Sequence, residues 1–179
     1  LALVSQLRDA LQADQFALVF QLQFDQQRRP VGMEALLRWR HPERGLLAPD
    51  AFIGICEDSG LIVPIGRWVL REAARHHRIL VAHGWGHLRL AVNVSAAQFQ
   101  QGLVDDVLSA LQAFQLPAGT LELELTESVV MASPDNVIRD MVALRDAGVC
   151  IAIDDFGTGY SSLAYLKRFP VDVLKIDQS

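Results

Sequence analysis

Apolar residues recur at helical spacing over residues 5–13, where Leu7, Ala10 and Leu11 share a face, and residues 16–24 then read as a strand. The connection DQQRRP (25–30) is too short for a right-handed helical crossover, so segments 16–24 and 31–39 are expected to pair as an antiparallel hairpin. Beyond residue 40 the rhythm changes. Helical patterns at 49–58, 64–83, 103–114, 134–147 and 161–168 alternate with strand patterns at 88–94, 121–126, 149–154 and 171–176. Such alternation implies a parallel sheet, which periodicity alone leaves either closed or open. The polar residues with chemical potential collect near the ends of the second to sixth strands, where a parallel barrel builds its site, so a barrel with only its first strand antiparallel is the expected architecture. No linker, repeat or low-complexity segment divides the chain, which reads as one domain.

Half of the residues are hydrophobic (51%), as in a globular domain with a sizeable core. Sixteen basic against 21 acidic residues give a formal charge of -5, which excludes a sequence-wide basic surface for a nucleic-acid polymer. An anionic ligand would have to be held by local cations or metal. Cys56 and Cys150 both lie in apolar stretches, so a disulfide framework is not expected and a reducing cytoplasm fits. No apolar run approaches the roughly 18 residues of a membrane span, and no signal peptide is recognisable. The first residue is Leu, so a piece of a longer protein is expected.

Glu34, Leu36 and Arg38 share one strand face, an arrangement that taken alone reads first as a surface ion pair, with metal and phosphate binding as the other reading. Asn93, at the end of the third strand, could be a neutral oxygen ligand or a helix cap. In LELELTE (121–127) the leucines take one face while Glu122, Glu124 and Thr126 take the other. Carboxylates turned inward cost several kcal/mol unless a cation compensates them, which favours metal binding here. The fifth strand runs into DDFGTGYSS (154–162), where the adjacent Asp154 and Asp155 could serve two hard cations or form an Asx turn feeding a loop with Gly157 and Gly159, with Ser161 or Ser162 capping the helix that follows. Lys175 and Asp177 share a face near the end of the sixth strand, so an ammonium could reach the same cavity or simply be solvated. There is no HExxH, paired CxxC, P-loop or serine elbow, and oxygen donors select Mg²⁺ or Mn²⁺ over softer metals.

Together the segments EALLRWRHPERG, CEDSGLI, NVS, ELTES, DDFGTGYSSL and LKID, in that order, resemble the EAL family of cyclic di-GMP phosphodiesterases, named for the triplet Glu34-Ala-Leu36. The resemblance implies a (β/α)8 TIM-like barrel with an antiparallel first strand, of which this chain holds about six strands, so that residues 1–179 would be one EAL domain incomplete at its C-terminus and inactive in isolation. It implies metal ligation by Glu34, Asn93, Glu124 and Asp154, with Asp155 at a second ion and Asp154 shared by both. Lys175 matches a lysine that positions the attacking water, Glu127 a glutamate that holds the DDFGTG loop, Arg38 a phosphate contact and Gln21 a substrate contact. The implied reaction is hydrolysis of cyclic di-GMP to linear pGpG with two Mg²⁺ or Mn²⁺ ions; the alternative is a catalytically silent module acting as a cyclic di-GMP receptor or protein-interaction domain. A homodimer, an adjacent diguanylate cyclase or sensory domain, and a cytoplasmic location, alone or as part of a membrane-anchored protein, are further expectations. The chain departs from the family's first-strand YQPI, reading FQLQ at 20–23.

Overall fold

A computed structural model of the chain describes residues 2–126, 129, 134–156 and 169–176. Helix α1 (Ala2–Gln12) buries Leu7 and Ala10 and leads into the hairpin of β1 (Phe16–Phe24) and β2 (Pro30–His41). The turn is built by Asp25, whose Oδ1 accepts from the backbone N–H groups of Gln27 (2.8 Å) and Arg29 (2.9 Å) while Oδ2 accepts from Arg29 Nε. The register runs from Phe16 opposite Trp39 to Gln23 opposite Gly32, which places Gln21 directly across from Glu34. On β2 the alternation is clean: Met33, Ala35, Leu37, Trp39 and His41 are buried, and Glu34, Leu36 and Arg38 form the other, half-buried face.

A three-residue strand, β3 (Gly45–Leu47), turns back antiparallel on β2. The expectation that only the first strand would run antiparallel is corrected by it; a strand this short carries no readable period. The expected helix over 49–58 is a 3₁₀ turn at Pro49–Ala51, a break at Phe52 and then α2 (Ile53–Asp58). The rest alternates as α3 (Ile62–Ala82), β4 (Arg89–Val94), α4 (Ala96–Phe99), α5 (Leu103–Phe114), β5 (Leu121–Thr126), α6 (Pro134–Asp146), β6 (Cys150–Phe156) and β7 (Val173–Ile176). The order across the sheet is β1-β2-β4-β5-β6-β7 with β3 beside β2, and β2, β4, β5, β6 and β7 are mutually parallel. Among the described residues β1 and β7 each pair on one side only, so the barrel is not closed. The expected helix 161–168, Asp177 and the loop residues Gly157, Gly159, Ser161 and Ser162 lie outside the described residues.

The core lies between the sheet and the outer helices. Leu90, Val92 and Val94 of β4, Leu121, Leu123 and Leu125 of β5 and Ile151 and Ile153 of β6 belong to one buried cluster with Ile65, Val69 and Leu70 of α3, Val107 of α5, and Met141 and Leu144 of α6. The leucines of β5 therefore take the helix side, and Glu122 and Glu124 are left for the interior of the sheet's curve. At the N-terminal end of β5, Glu122 is taken up by Arg89, whose Nη1 donates to Oε2 at 2.7 Å. That ion pair gives Glu122 a structural partner.

A core histidine makes stability depend on pH. His77 of α3 is fully buried, and burial pushes its pKa below the ordinary 6.5; the backbone of Gly86 and Leu88 only partly offsets this, and neither ring nitrogen has a partner in hydrogen-bonding geometry. An unfolded chain takes up a proton at His77 before the folded one does, so the stability this residue contributes above pH 6.5 is lost as pH falls below it. Replacing His77 with Leu should flatten that part of the pH dependence. Thermal midpoints of both proteins between about pH 8 and 5.5 check this, and equal slopes would overturn it.

Candidate functional site

Parallel strands bring their C-terminal ends to one rim, and the register of this sheet aligns the polar residues there. Asn93 of β4 lies beside Glu124 of β5, and Thr126 beside Asp154 of β6. Asn93 Nδ2 donates to Glu34 Oε1 at 2.7 Å. Because an ionised carboxylate only accepts, the amide nitrogen must face Glu34, and Oδ1 of Asn93 remains for another partner. The Lys175 ammonium, on β7, donates to Glu124 Oε1 in a short contact and lies 4.0 Å from Glu34 Oε2.

Glu124 is the centre of this group. Its side chain is 0% exposed, against 21% for Glu34 and 25% for Lys175, and its buried Oε2 has no hydrogen-bond partner among the described residues. Burial pushes its pKa up to about 7 against the pull of Lys175, and the charges of Glu34 and Asp154 push the same way. Burial disfavours the Lys175 ammonium, yet the hydrogen bond to Glu124 and the charges of Glu124, Glu34 and Asp154 together raise its pKa. The site therefore gathers three carboxylates and an amide oxygen around a single cation, with one buried oxygen unsatisfied. Such a group favours additional positive charge.

Asp155 has φ 53°, a left-handed conformation that costs most residues about 1 kcal/mol and that Asp tolerates better than most. Its backbone N–H donates to Asp154 Oδ1 at 3.0 Å, so the two acids are joined through the main chain at the end of β6. The strain is local to an irregularity in the pairing of β6 with β7, between Ile153 and Phe156, after which Phe156 pairs with Ile176.

The structure thus brings together Glu34, Asn93, Glu124 and Lys175, with Asp154 within electrostatic reach and Gln21 exposed across the ladder from Glu34. Arg38 does not join them. It lies four positions further along β2, about 13 Å at strand spacing, and its Nη1 donates to the carbonyl of Leu37 at 2.8 Å. Glu127 lies outside the described residues. Beside the cluster is a cavity of about 270 Å³ lined by Leu36, Pro49, Glu57, Asn93, Glu124 and Thr126 among others. Glu57 escaped the sequence reading although it stands in the CEDSGLI block, because one acid on a short helix has no pattern of its own.

Whether these residues suit a metal can be tested on the geometry. Among the described residues no group of three His, Cys, Asp or Glu side chains forms a ready-made cage. The Lys175 ammonium occupies the position at Glu124 that an ion would claim. The donor set nonetheless fits a hard divalent ion: it is all oxygen, it carries excess negative charge, and Glu124 Oε2 is an orphaned buried acceptor. An ion drawn to Glu124 would have to displace the ammonium from that carboxylate.

Fold and site define an open β/α barrel with an acidic, cation-seeking cluster at the C-terminal rim of its strands. The EAL domain model matches residues 4–179, and the chain belongs to that family. It is 48% identical over 181 residues to "Cyclic di-GMP phosphodiesterase NbdA" of Pseudomonas aeruginosa, covering 100% of this chain and 23% of that protein. Identity to "Bifunctional diguanylate cyclase/cyclic di-GMP phosphodiesterase MucR" of the same organism is 47% over 180 residues, 99% of this chain and 26% of that one. The chain spans about a quarter of the length of these curated relatives. The solved PaMucR phosphodiesterase in its c-di-GMP complex superposes with a TM-score of 0.93 at 47% identity, covering 99% of this chain and 72% of that one. The FimX EAL domain from Pseudomonas aeruginosa bound to c-di-GMP gives 0.82 at 27% identity, covering 97% and 70%.

Proposed function

We propose that this chain carries the greater part of a phosphodiesterase site that hydrolyses cyclic di-GMP to linear pGpG with two Mg²⁺ or Mn²⁺ ions. The observation that carries this reading is the buried Glu124 carboxylate, with one oxygen unsatisfied and the other on Lys175, beside Asn93 and Glu34 at the rim of a parallel barrel. The names of the relatives and the c-di-GMP complexes of similar structures support the choice of substrate.

Glu34, Asn93, Glu124 and Asp154 would hold the ions, with Asp154 shared and Asp155 serving the second. When bound, the ions would supply an acidified water and neutralise charge on the phosphoryl oxygens. Lys175 would then hold the attacking water by donating to its oxygen, its ammonium kept protonated by the surrounding carboxylates. Arg38, released from the Leu37 carbonyl, would pair with a phosphate, and Gln21 would donate to the substrate from the facing strand. Water adds to phosphorus as one P–O3′ bond breaks, and the water's proton ends on the leaving 3′ oxygen, so one water and one cyclic dinucleotide give one linear dinucleotide. Glu127 is proposed to hold the loop after β6.

Among the described residues no helix is long and apolar enough to cross a membrane. A cytoplasmic location, a homodimer and a neighbouring diguanylate cyclase or sensory domain belong to the same proposal, the last supported by the bifunctional name of one relative. The experiment is chromatography of cyclic di-GMP incubated with the full-length protein in Mg²⁺, Mn²⁺, Ca²⁺ or chelator. Formation of pGpG is expected with Mg²⁺ and Mn²⁺ and not with Ca²⁺, whose longer bonds and looser geometry hold the reacting groups poorly. Full turnover in chelator would overturn the role of metal, and tight binding without product in every metal would favour a receptor.

A further inference from the structure

Gly66 sits within the long helix α3 with no turn or left-handed φ to account for it, in a position where alanine is the better helix former. What it provides is room. A Cβ at Gly66 would stand 2.7 Å from Cδ of Gln98, so the Gln98 carboxamide lies against the bare backbone of α3. Gln98 is itself buried, 5% exposed, and its Oε1 accepts from the backbone N–H of Ser95 at 3.0 Å. Ser95 directly precedes α4 and follows Asn93 by two residues, at the point where β4 leaves the sheet. Gly66, Asn93 and Ser95 line the same cavity as Glu124.

We infer that Gln98, seated on Gly66, is a positioning residue that fixes the end of β4 and through it the Asn93 carboxamide at the carboxylate cluster. This inference rests on the proposed ion-binding role of Asn93. Without the Gln98 acceptor, the Ser95 N–H would lose its partner at a half-buried strand end, and the chain would turn to seek another. The exposed Asn93 carboxamide, whose side-chain partner among the described residues is Glu34, would turn with it. Groups that orient a ligand in this way are felt at the ion, although they never touch it.

The test uses Gln98→Leu, which keeps volume and removes the acceptor, and Gly66→Ala, which improves the helix while pushing the Gln98 amide away. Each should speed hydrogen exchange of the Ser95 amide, shift the Asn93 side-chain amide resonances and weaken Mn²⁺ binding by about 10-fold. Melting midpoints of both variants are measured beside Mn²⁺ binding, with binding read well below each midpoint, so that loss of affinity cannot be put down to loss of fold. The combined variant should be no weaker than Gln98→Leu alone, and in an Asn93→Ala background neither change should matter to Mn²⁺. Additive losses, equal losses in the Asn93→Ala background, or unchanged Ser95 exchange would overturn the inference. If the wild type binds Mn²⁺ but does not hydrolyse cyclic di-GMP, the phosphodiesterase reading falls and the brace stands. If it binds no Mn²⁺, the Ser95 exchange and Asn93 resonances decide alone, and an unshifted Asn93 signal removes the brace.

Discussion

Replacing Lys175 with Ala should move two measurements in opposite directions: turnover falls by a factor on the order of 10² or more, while divalent ions bind more tightly. The fall follows from removing the ammonium proposed to hold the attacking water, a contact that matters most in the transition state, so cyclic di-GMP binding largely survives. The gain follows from competition. Lys175 donates to Glu124 Oε1 and lies near Glu34, and its removal leaves the buried carboxylate without a cation partner among the described residues. The ion-free variant should unfold at a lower temperature than wild type, because breaking a buried pair strands the remaining charge. Added Mn²⁺ should then raise its midpoint by more than it raises that of wild type, since only the folded state assembles the site. Melting curves with and without Mn²⁺, beside steady-state turnover, read both effects. An unchanged kcat would remove Lys175 from the chemistry, and an unchanged ion affinity would show that the ammonium and the ion do not compete.

Asp154→Asn is expected to abolish measurable turnover, a loss on the order of 10³ or more. The substitution is informative because it leaves shape almost untouched. Asp154 Oδ1 accepts from the Asp155 N–H, and the carbonyl oxygen of Asn can take over that bond, so the left-handed turn at Asp155 should persist. Only the charge goes. If Asp154 serves both ions, Mn²⁺ stoichiometry or affinity should fall at two sites by titration; loss at one site with the other intact would assign the shared role elsewhere, and retained turnover would exclude Asp154 from the site.

Much of this was legible in the sequence, for identifiable reasons. The hairpin followed from a connection too short for a crossover, and the inward acids of β5 followed from the period of two in LELEL. Candidate site residues could be named because acids at the ends of apolar strands demand an explanation and because motifs in a fixed order supply one. What escaped depended on encounters between distant segments. Nothing local says that Lys175 meets Glu124, that Glu122 is already claimed by Arg89, or that a glycine in α3 makes room for a glutamine in α4. Arg38 was placed on the correct face, yet its guanidinium turns to the neighbouring carbonyl, a choice among rotamers that strand alternation cannot reveal. The three residues of β3 and the break at Phe52 lie below the length at which periodicity carries information.

The mixed direction of the sheet also sets a timetable for folding. β1 and β2 are joined by a turn that Asp25 closes with its own side chain, so they can meet within about 1–10 μs, as isolated hairpins do. The parallel pairings of β2 with β4 and of β4 with β5 each span a helix: Glu34 comes to stand beside Ala91 across α3, and Asn93 beside Glu124 across α5. Loops of that length are closed late and at greater entropic cost. On a ribosome the hairpin is therefore complete while the remaining strands are still being made. Glu124 can meet Lys175 only where β7 has joined the sheet, so the pair at the centre of the carboxylate cluster depends on a contact between positions 51 residues apart.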